Sequence, residues 1–184
     1  MCLFYIIKQN VHIVENKTAN DDLILSQEVP FQKNELDNRL PKKLKIPAIG
    51  LESIVEYVGM TPEGQMDVPK SQDNVAWYNL GARPGDIGSA VIAGHYGWLA
   101  KKASVFDNLY KLRAGDKIFV EDNDGTIVTF VVRENRRYSE NADASDVFIS
   151  DDGKAHLNLV ACEGEWNKFS KSYPSRLVVF ADKE

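Results

Sequence analysis

The sequence lacks several features that would place it in a class at once. It has only two cysteines among 184 residues, Cys2 and Cys162, so neither a disulfide framework nor a CxxC metal pair is predicted. No apolar run approaches the ~18 residues that span a bilayer, and the apolar start, residues 1–7, has no basic region or cleavage site that would make it a complete signal peptide. Lys and Arg number 22 against 27 Asp and Glu, a net charge of -5, which argues against nucleic acid as a partner.

What remains is the composition of an ordinary soluble globular protein, with 43% apolar and 27% charged residues. The length suits one domain with a short surplus. Residues 1–41 carry polar clusters interrupted by prolines and are predicted to be a tail or linker, with residues 1–7 a possible remnant of a membrane anchor. Residues 42–184 are predicted to form the folded domain.

From residue 42 onward, short β-type runs alternate with Gly, Pro, Asn and Asp turns, which predicts an antiparallel barrel or sandwich. Asp124-Gly125 is predicted to turn a hairpin, because glycine supplies the positive φ that tight hairpins need. Residues 105–112 have apolar positions at helical spacing. The predicted strands are residues 44–49, 51–58, 90–93, 117–121, 126–133, 155–161 and 176–181.

Cys162 is the first candidate for chemistry, because it ends a predicted strand where the chain turns out through glycine. A lone cysteine is more often a small buried hydrophobe, so the catalytic interpretation needs a base nearby. Only three histidines exist. His12 lies in the tail, and an extended strand would hold His156 roughly 20 Å from Cys162. His95, flanked by glycines after an apolar run, is the remaining candidate.

Arg176 is the third candidate, since a guanidinium on an apolar strand must be paired, used or extended to solvent. The fourteen residues from Cys162 to Arg176 suit a loop that returns the chain to a neighbouring strand. Together the three groups have the chemistry of acyl transfer: a thiol attacks a carbonyl, an imidazole protonates the leaving amine and a guanidinium stabilises the oxyanion.

The sequence from about Lys45 to Asp182 resembles the sortase family, the cysteine transpeptidases of bacterial surfaces. Four segments carry the resemblance, in the family's order. They are AWYNLGARPGDIGSAVIAGH at residues 76–95, VFDNLYKLRAGDKIFV at 105–120, LNLVAC at 157–162 and YPSRLVVFA at 173–181.

The resemblance implies a mainly β fold with short helices: an eight-stranded barrel with His95 after the fourth strand, Cys162 ending the seventh and Arg176 on the eighth. It implies a monomer without a cofactor on the outer side of a bacterial plasma membrane. This enzyme would cleave an LPXTG-like sorting signal between Thr and Gly, through a thioester on Cys162, and transfer the acyl group to a cell-wall amine. Tyr96, Trp98 and the loop at 163–174 would flank the substrate groove.

The sequence also departs from the family's pattern. Ala161 stands where the family has Thr, which predicts a different substrate pocket. The Asp-Pro-aromatic lid motif of the pilus-assembling class is absent before the barrel, and the signature leans toward class E or F.

Four acidic residues between 143 and 152 allow a calcium site as an alternative interpretation, although a solvated loop explains them more simply. These are Asp143, Asp146, Asp151 and Asp152.

Two other functions remain open at this stage. One is a different cysteine peptidase or acyl transferase, such as an L,D-transpeptidase, which would act on another substrate. The other is a non-catalytic β-barrel that binds a surface protein and keeps Cys162 buried and inert.

Overall fold

The computed structural model describes residues 38–97, 103–139, 142–169 and 172–184, together with the backbone of a two-residue strand at Phe4–Tyr5. Most of the predicted tail, residues 1–41, lies outside the described residues. Within the described part of the chain, no helix is long and apolar enough to cross a membrane.

The described residues include ten strands and three short helical turns. The strands are β1 (Phe4–Tyr5), β2 (Pro41–Ile46), β3 (Leu51–Val58), β4 (Gln65–Met66), β5 (Val75–Tyr78), β6 (Gly88–Gly94), β7 (Lys117–Asp122), β8 (Ile127–Ser139), β9 (Ala155–Glu163) and β10 (Ser175–Lys183). The helical turns are two 3-10 helices, Pro47–Ile49 and Leu109–Lys111, and one α-helical turn, Ser145–Phe148.

Eight of these strands close into a barrel in the order β10-β8-β7-β2-β3-β5-β6-β9, while β1 and β4 pair separately. The predicted eight-stranded barrel is therefore confirmed. The expectation of purely antiparallel strands is wrong, since β3 pairs with β5, and β6 with β9, in parallel. Parallel neighbours need a crossover of about a dozen residues or more, and the connection at residues 59–74 is long enough to supply one.

Other differences from the predicted elements have local causes. The strand predicted at 44–49 ends at Ile46, because Pro47 has no N–H for the strand ladder and starts a 3-10 helix. Strand β5 is not predicted from the sequence, because all four of its residues are buried and it shows no alternation of apolar and polar residues. The predicted helix at 105–112 is wrong: a turn and a 3-10 helix occupy the segment. Phe106, Leu109 and Leu112 still face the core together, because their spacing of three residues matches a 3-10 turn.

The hairpin between β7 and β8 is formed as predicted. Gly125 has φ +83°, and the Asp122 carboxylate accepts hydrogen bonds from the backbone N–H groups of Asp124 (3.0 Å) and Thr126 (2.9 Å). Such a side-chain bond reproduces a backbone turn and fixes the register of the two strands.

Two apolar clusters lie on opposite faces of the barrel wall. Leu157, Leu159 and Ala161 of β9 belong to the inner cluster, whereas Val160 belongs to the outer one. Side chains alternate along a strand, so Cys162 must point to the outer face. Ala161 fills a position inside the core.

Gly94, the last residue of β6, is required by this packing. A Cβ atom there would lie 2.7 Å from Cγ and from Cε2 of the Phe106 ring, which is itself buried in the inner cluster. We expect Gly94→Ala to lower the free energy of unfolding by about 1–3 kcal/mol, because overpacking forces ring and strand apart. Urea denaturation measures the change.

Gly59→Ala is the matched control for this prediction. The nearest atom to a Cβ at Gly59 is the Asn79 Oδ1, 3.8 Å away, and its φ is ordinary. Its stability should change by less than about 0.5 kcal/mol. Equal stabilities of the Gly94→Ala variant and the wild type would contradict the role assigned to Gly94.

Candidate active site

The three predicted site residues lie at one end of three neighbouring strands. Cys162 on β9 pairs directly with Arg176 on β10, and both side chains point to the outer face. Directly opposed residues have Cβ atoms about 4.5–5.5 Å apart. Gly94 on β6 pairs with Ala161, so His95 follows at the level of Cys162. The fold thus brings together residues separated by up to 81 positions.

Cys162 is 2% exposed and is disulfide-bonded in this structure. Its description as a lone thiol is therefore wrong for this state. The other cysteine, Cys2, lies outside the described residues. Chemistry at Cys162 requires that this disulfide first be reduced, because the thiolate is the nucleophile.

Arg176 is 4% exposed, and its guanidinium is bound to the chain that precedes it. Nη1 donates to the carbonyl of Tyr173 at 2.8 Å and to that of Ser175 at 3.1 Å. These bonds offset the cost of burying a charge and fix the direction of the guanidinium. Its extension into solvent is thereby ruled out.

His95 is half-buried, and its ring is held by the loop before β5. Nε2 lies 2.7 Å from the carbonyl oxygen of Pro69. A carbonyl oxygen can only accept a hydrogen bond, so Nε2 carries the proton and its N–H donates a hydrogen bond to the Pro69 carbonyl. Nδ1 is then the nitrogen that remains to exchange a proton in the neutral ring.

His156 lies at the start of β9, far along the strand from Cys162. Its Nδ1 is 2.7 Å from Asp182 Oδ1 and its Nε2 is 2.9 Å from Asp152 Oδ1. The hydrogen bond from His156 lowers the pKa of Asp152. The structure thus agrees with the sequence argument that His156 cannot serve Cys162 as a base.

Three aromatic rings that lie close in sequence to the site residues contact one another. Tyr173 makes edge contacts with Tyr96 at 5.7 Å and with Trp166 at 5.1 Å between ring centroids. Burial raises the pKa of both tyrosines, so their hydroxyl groups remain protonated at neutral pH. Trp98, which was predicted to flank the same groove, lies outside the described residues.

Sequence reasoning missed the residues that hold the segment after His95. The backbone N–H of Gly97 donates to Asp107 Oδ1 at 2.7 Å, and Gln72 Nε2 donates to the Gly97 carbonyl at 3.2 Å. Nothing in the sequence marks these two polar side chains as different from any other loop residue. Their role comes from the path of the loops around them.

Most of the acidic residues considered for calcium have other partners. Asp146 accepts hydrogen bonds from Arg136 and Tyr138, both at 2.7 Å. Burial, followed by the bond to Asp146, raises the pKa of Tyr138 to about 12. Asp143 accepts from the Ser145 backbone at 2.9 Å. Across the described ranges, no three His, Cys, Asp or Glu side chains are grouped so that they could hold a metal ion.

Several sortases of known structure have a similar fold. Sortase C-1 from Actinomyces oris has a TM-score of 0.62 at 20% identity, over 77% of this chain and 72% of its own. Sortase A from Corynebacterium diphtheriae has a TM-score of 0.62 at 22% identity, over 79% of this chain and 60% of its own. Sortase C from Streptococcus pneumoniae has a TM-score of 0.61 at 21% identity, over 77% of this chain and 65% of its own. The chain thus spans less than two thirds of the last two, and at these identities the likeness concerns the fold.

A search of curated proteins found no match. The family assignment rests instead on a family model that matches the sequence. The family model described as a sortase domain matches residues 44–184, which run from strand β2 through β10 and include all three predicted site residues. Since that match covers well over half of the sequence, the chain belongs to the sortase family, whose members are cysteine transpeptidases.

Proposed function

We propose that this protein cleaves an LPXTG-like sorting signal between Thr and Gly and transfers the acyl part to a cell-wall amine, with His95, Cys162 and Arg176 as its catalytic residues. The observation that carries the proposal is the direct pairing of Cys162 with Arg176, with His95 at the end of the strand on the other side of Cys162. Membership of a transpeptidase family supports it.

The reaction begins with the reduced Cys162, whose thiol gives its proton to Nδ1 of His95, so that a thiolate stands beside an imidazolium. The thiolate sulfur attacks the threonine carbonyl carbon, and the negative charge that develops on the oxygen is stabilised by the Arg176 guanidinium. The C–N bond then breaks as His95 gives a proton to the leaving glycine amine. The product is a thioester between the threonine acyl group and Cys162.

The second half reaction reverses these roles. An incoming amine attacks the thioester carbonyl, His95 takes a proton from that amine, and the sulfur leaves as the thiolate. The new amide bond replaces the one that was broken. Because thiol, imidazole and guanidinium carry out every step, the proposal includes no cofactor.

The proposed partners follow from this chemistry. One substrate is a surface protein that carries the sorting signal, and the other is an amine of a cell-wall precursor. Both meet on the outer side of a bacterial plasma membrane, where the protein would act as a monomer. The aromatic side chains of Tyr96, Trp166 and Tyr173 would contact the bound signal beside Cys162.

The test uses the reduced protein, a set of LPXTG-type peptides, and glycine or a diamino acid as the amine. We expect mass spectrometry to detect an adduct equal to the peptide's acyl part on Cys162, and a transpeptidation product once amine is added. The blank is the Cys162→Ala variant. A second arm without reductant should give no adduct, because the disulfide blocks the sulfur.

Two outcomes would overturn the proposal in favour of the alternatives. Hydrolysis without preference for the peptide sequence would indicate another cysteine peptidase or acyl transferase. Failure of every peptide to acylate the reduced protein, together with resistance of Cys162 to alkylation, would indicate a barrel that binds without catalysis.

A further inference from the structure

We propose that Glu56 is a positioning residue for His95: its carboxylate holds the loop at residues 69–74, and the carbonyl of Pro69 in that loop fixes the imidazole with the proton on Nε2. This inference rests on the catalytic role proposed for His95. Glu56 belongs to β3 and does not reach the imidazole itself, so it acts through the loop.

The Glu56 carboxylate accepts three hydrogen bonds from the loop. Oε2 accepts from the Lys70 backbone N–H at 2.8 Å, and Oε1 accepts from the Ser71 N–H at 3.2 Å and from Asn74 Nδ2 at 2.9 Å. An ionised carboxylate is the only side chain of this size that offers acceptors on both oxygens and no donor. The bond to Lys70 fixes the residue directly after Pro69.

The charge state of Glu56 suits this role. Burial acts to raise the pKa of its carboxyl, but the hydrogen bonds from Lys70, Asn74 and Ser71 outweigh burial and leave that pKa below its usual value. Glu56 is therefore ionised at neutral pH, and hydrogen bonds to a charged acceptor are stronger than those between neutral groups.

The same loop also holds the backbone that follows His95. Gln72 Nε2 donates to Ser104 Oγ at 2.6 Å and to the Gly97 carbonyl, while the Gln72 carbonyl accepts from the Val105 N–H at 3.1 Å. Movement of this loop would therefore disturb both the imidazole and the chain on its C-terminal side.

The direction of the Pro69 carbonyl decides which nitrogen of His95 can react. While Pro69 accepts from Nε2–H, the neutral ring keeps Nδ1 unprotonated and ready to exchange a proton. Without that acceptor the two neutral tautomers mix and the ring can rotate. Misplacement of about 1 Å can cost on the order of 100-fold in rate, so the loss should fall on kcat rather than KM.

Glu52 offers a matched control on the same face of the same strand. Its carboxylate is exposed and accepts one hydrogen bond, from Lys43 Nζ at 3.0 Å. Among the described residues, its hydrogen-bond partner Lys43 lies on β2 and not in the loop at 69–74. Glu52→Gln therefore removes the same charge from β3 without touching the support of His95.

The experiment compares the wild type with Glu56→Ala, Glu56→Gln and Glu52→Gln in the full, reduced chain. The first measurement is the ¹⁵N NMR spectrum of histidine-labelled protein, which reports the tautomer of each of the three histidines. We expect an Nε2–H tautomer for His95 in the wild type and in Glu52→Gln, and a mixture of tautomers in Glu56→Ala. Glu56→Gln should fall between them, because it keeps Oε1 but turns an NH₂ group toward the Lys70 N–H.

The second measurement is the steady-state rate with an LPXTG-type peptide. Glu56→Ala should lower kcat by about 10- to 100-fold and change KM by less than about threefold, while Glu52→Gln matches the wild type. Thermal melting followed by circular dichroism identifies a variant that fails to fold, and in that case Glu56→Gln decides. An unchanged His95 tautomer together with an unchanged kcat would overturn the inference.

The two proposals fail in different ways. If no peptide is turned over by the wild type, the proposed function fails, while the tautomer comparison still decides whether Glu56 positions His95. If the wild type is active and the Glu56 variants match it in both measurements, the positioning role fails and the proposed function stands.

Discussion

Replacement of Cys162 by alanine is expected to abolish thioester formation and to lower the transpeptidation rate by a factor on the order of 10⁴ or more, as removal of a covalent nucleophile does in other enzymes. The sulfur is the only group in the proposed mechanism that bonds to the substrate, so no neighbouring side chain can replace it. Mass spectrometry of the trapped adduct and the steady-state rate both measure the effect.

Cys162→Ser is the companion variant. It keeps a small polar side chain at the end of β9, but a serine hydroxyl is far less ionised than a thiol near neutral pH and is a weak nucleophile without a strong base. We expect it to be as inactive as Cys162→Ala. Retention of a tenth or more of the wild-type rate in either variant would place the nucleophile elsewhere.

Replacement of Arg176 by alanine should have the second largest effect, a loss of about 10²- to 10³-fold in kcat, the range seen when one oxyanion donor is removed. Arg176→Lys should lose nearly as much. A lysine ammonium lacks the planar fork that holds the carbonyls of Tyr173 and Ser175 while another N–H faces the oxyanion. Rates with a single LPXTG-type peptide provide the measurement.

Arg133→Ala is the control for this prediction. Arg133 lies on β8, is 44% exposed and pairs with Asp182 near the opposite end of β10, at 2.7 Å. Exposed ion pairs contribute little to stability, so both kcat and the melting temperature should stay close to the wild type. A kcat for Arg176→Ala within threefold of that for Arg133→Ala would contradict the oxyanion role.

Local patterns in the sequence predicted a β-barrel or sandwich and placed Cys162 and Arg176 at strand ends, while the eight-stranded barrel was implied by the resemblance to sortases. Alternation along β9 and β10 puts Leu157, Leu159 and Leu177 in the core, and the same alternation turns Cys162 and Arg176 outward. The resemblance to sortases then joined those two residues to His95. The catalytic roles of all three stay predictions until the variants are assayed.

Other features could not be predicted, for physical reasons. The parallel pairings of β3 with β5 and of β6 with β9 depend on how long connections cross the barrel, which residue patterns do not encode. The support of His95 comes from a backbone carbonyl, that of Pro69, and any residue type supplies a carbonyl. Glu56 likewise looks like any outward-facing glutamate until the loop at 69–74 has folded over it.

Closure of the barrel has a consequence for how a peptide substrate can bind. Each of the eight barrel strands has a hydrogen-bonded neighbour on both sides, so none of them is an edge strand along its whole length. Addition of an extended peptide as a ninth strand, as occurs at an open sheet edge, is therefore disfavoured. Recognition must come from side chains and loops on the outer face, and peptide preference can change there while the wall that aligns the site residues stays intact.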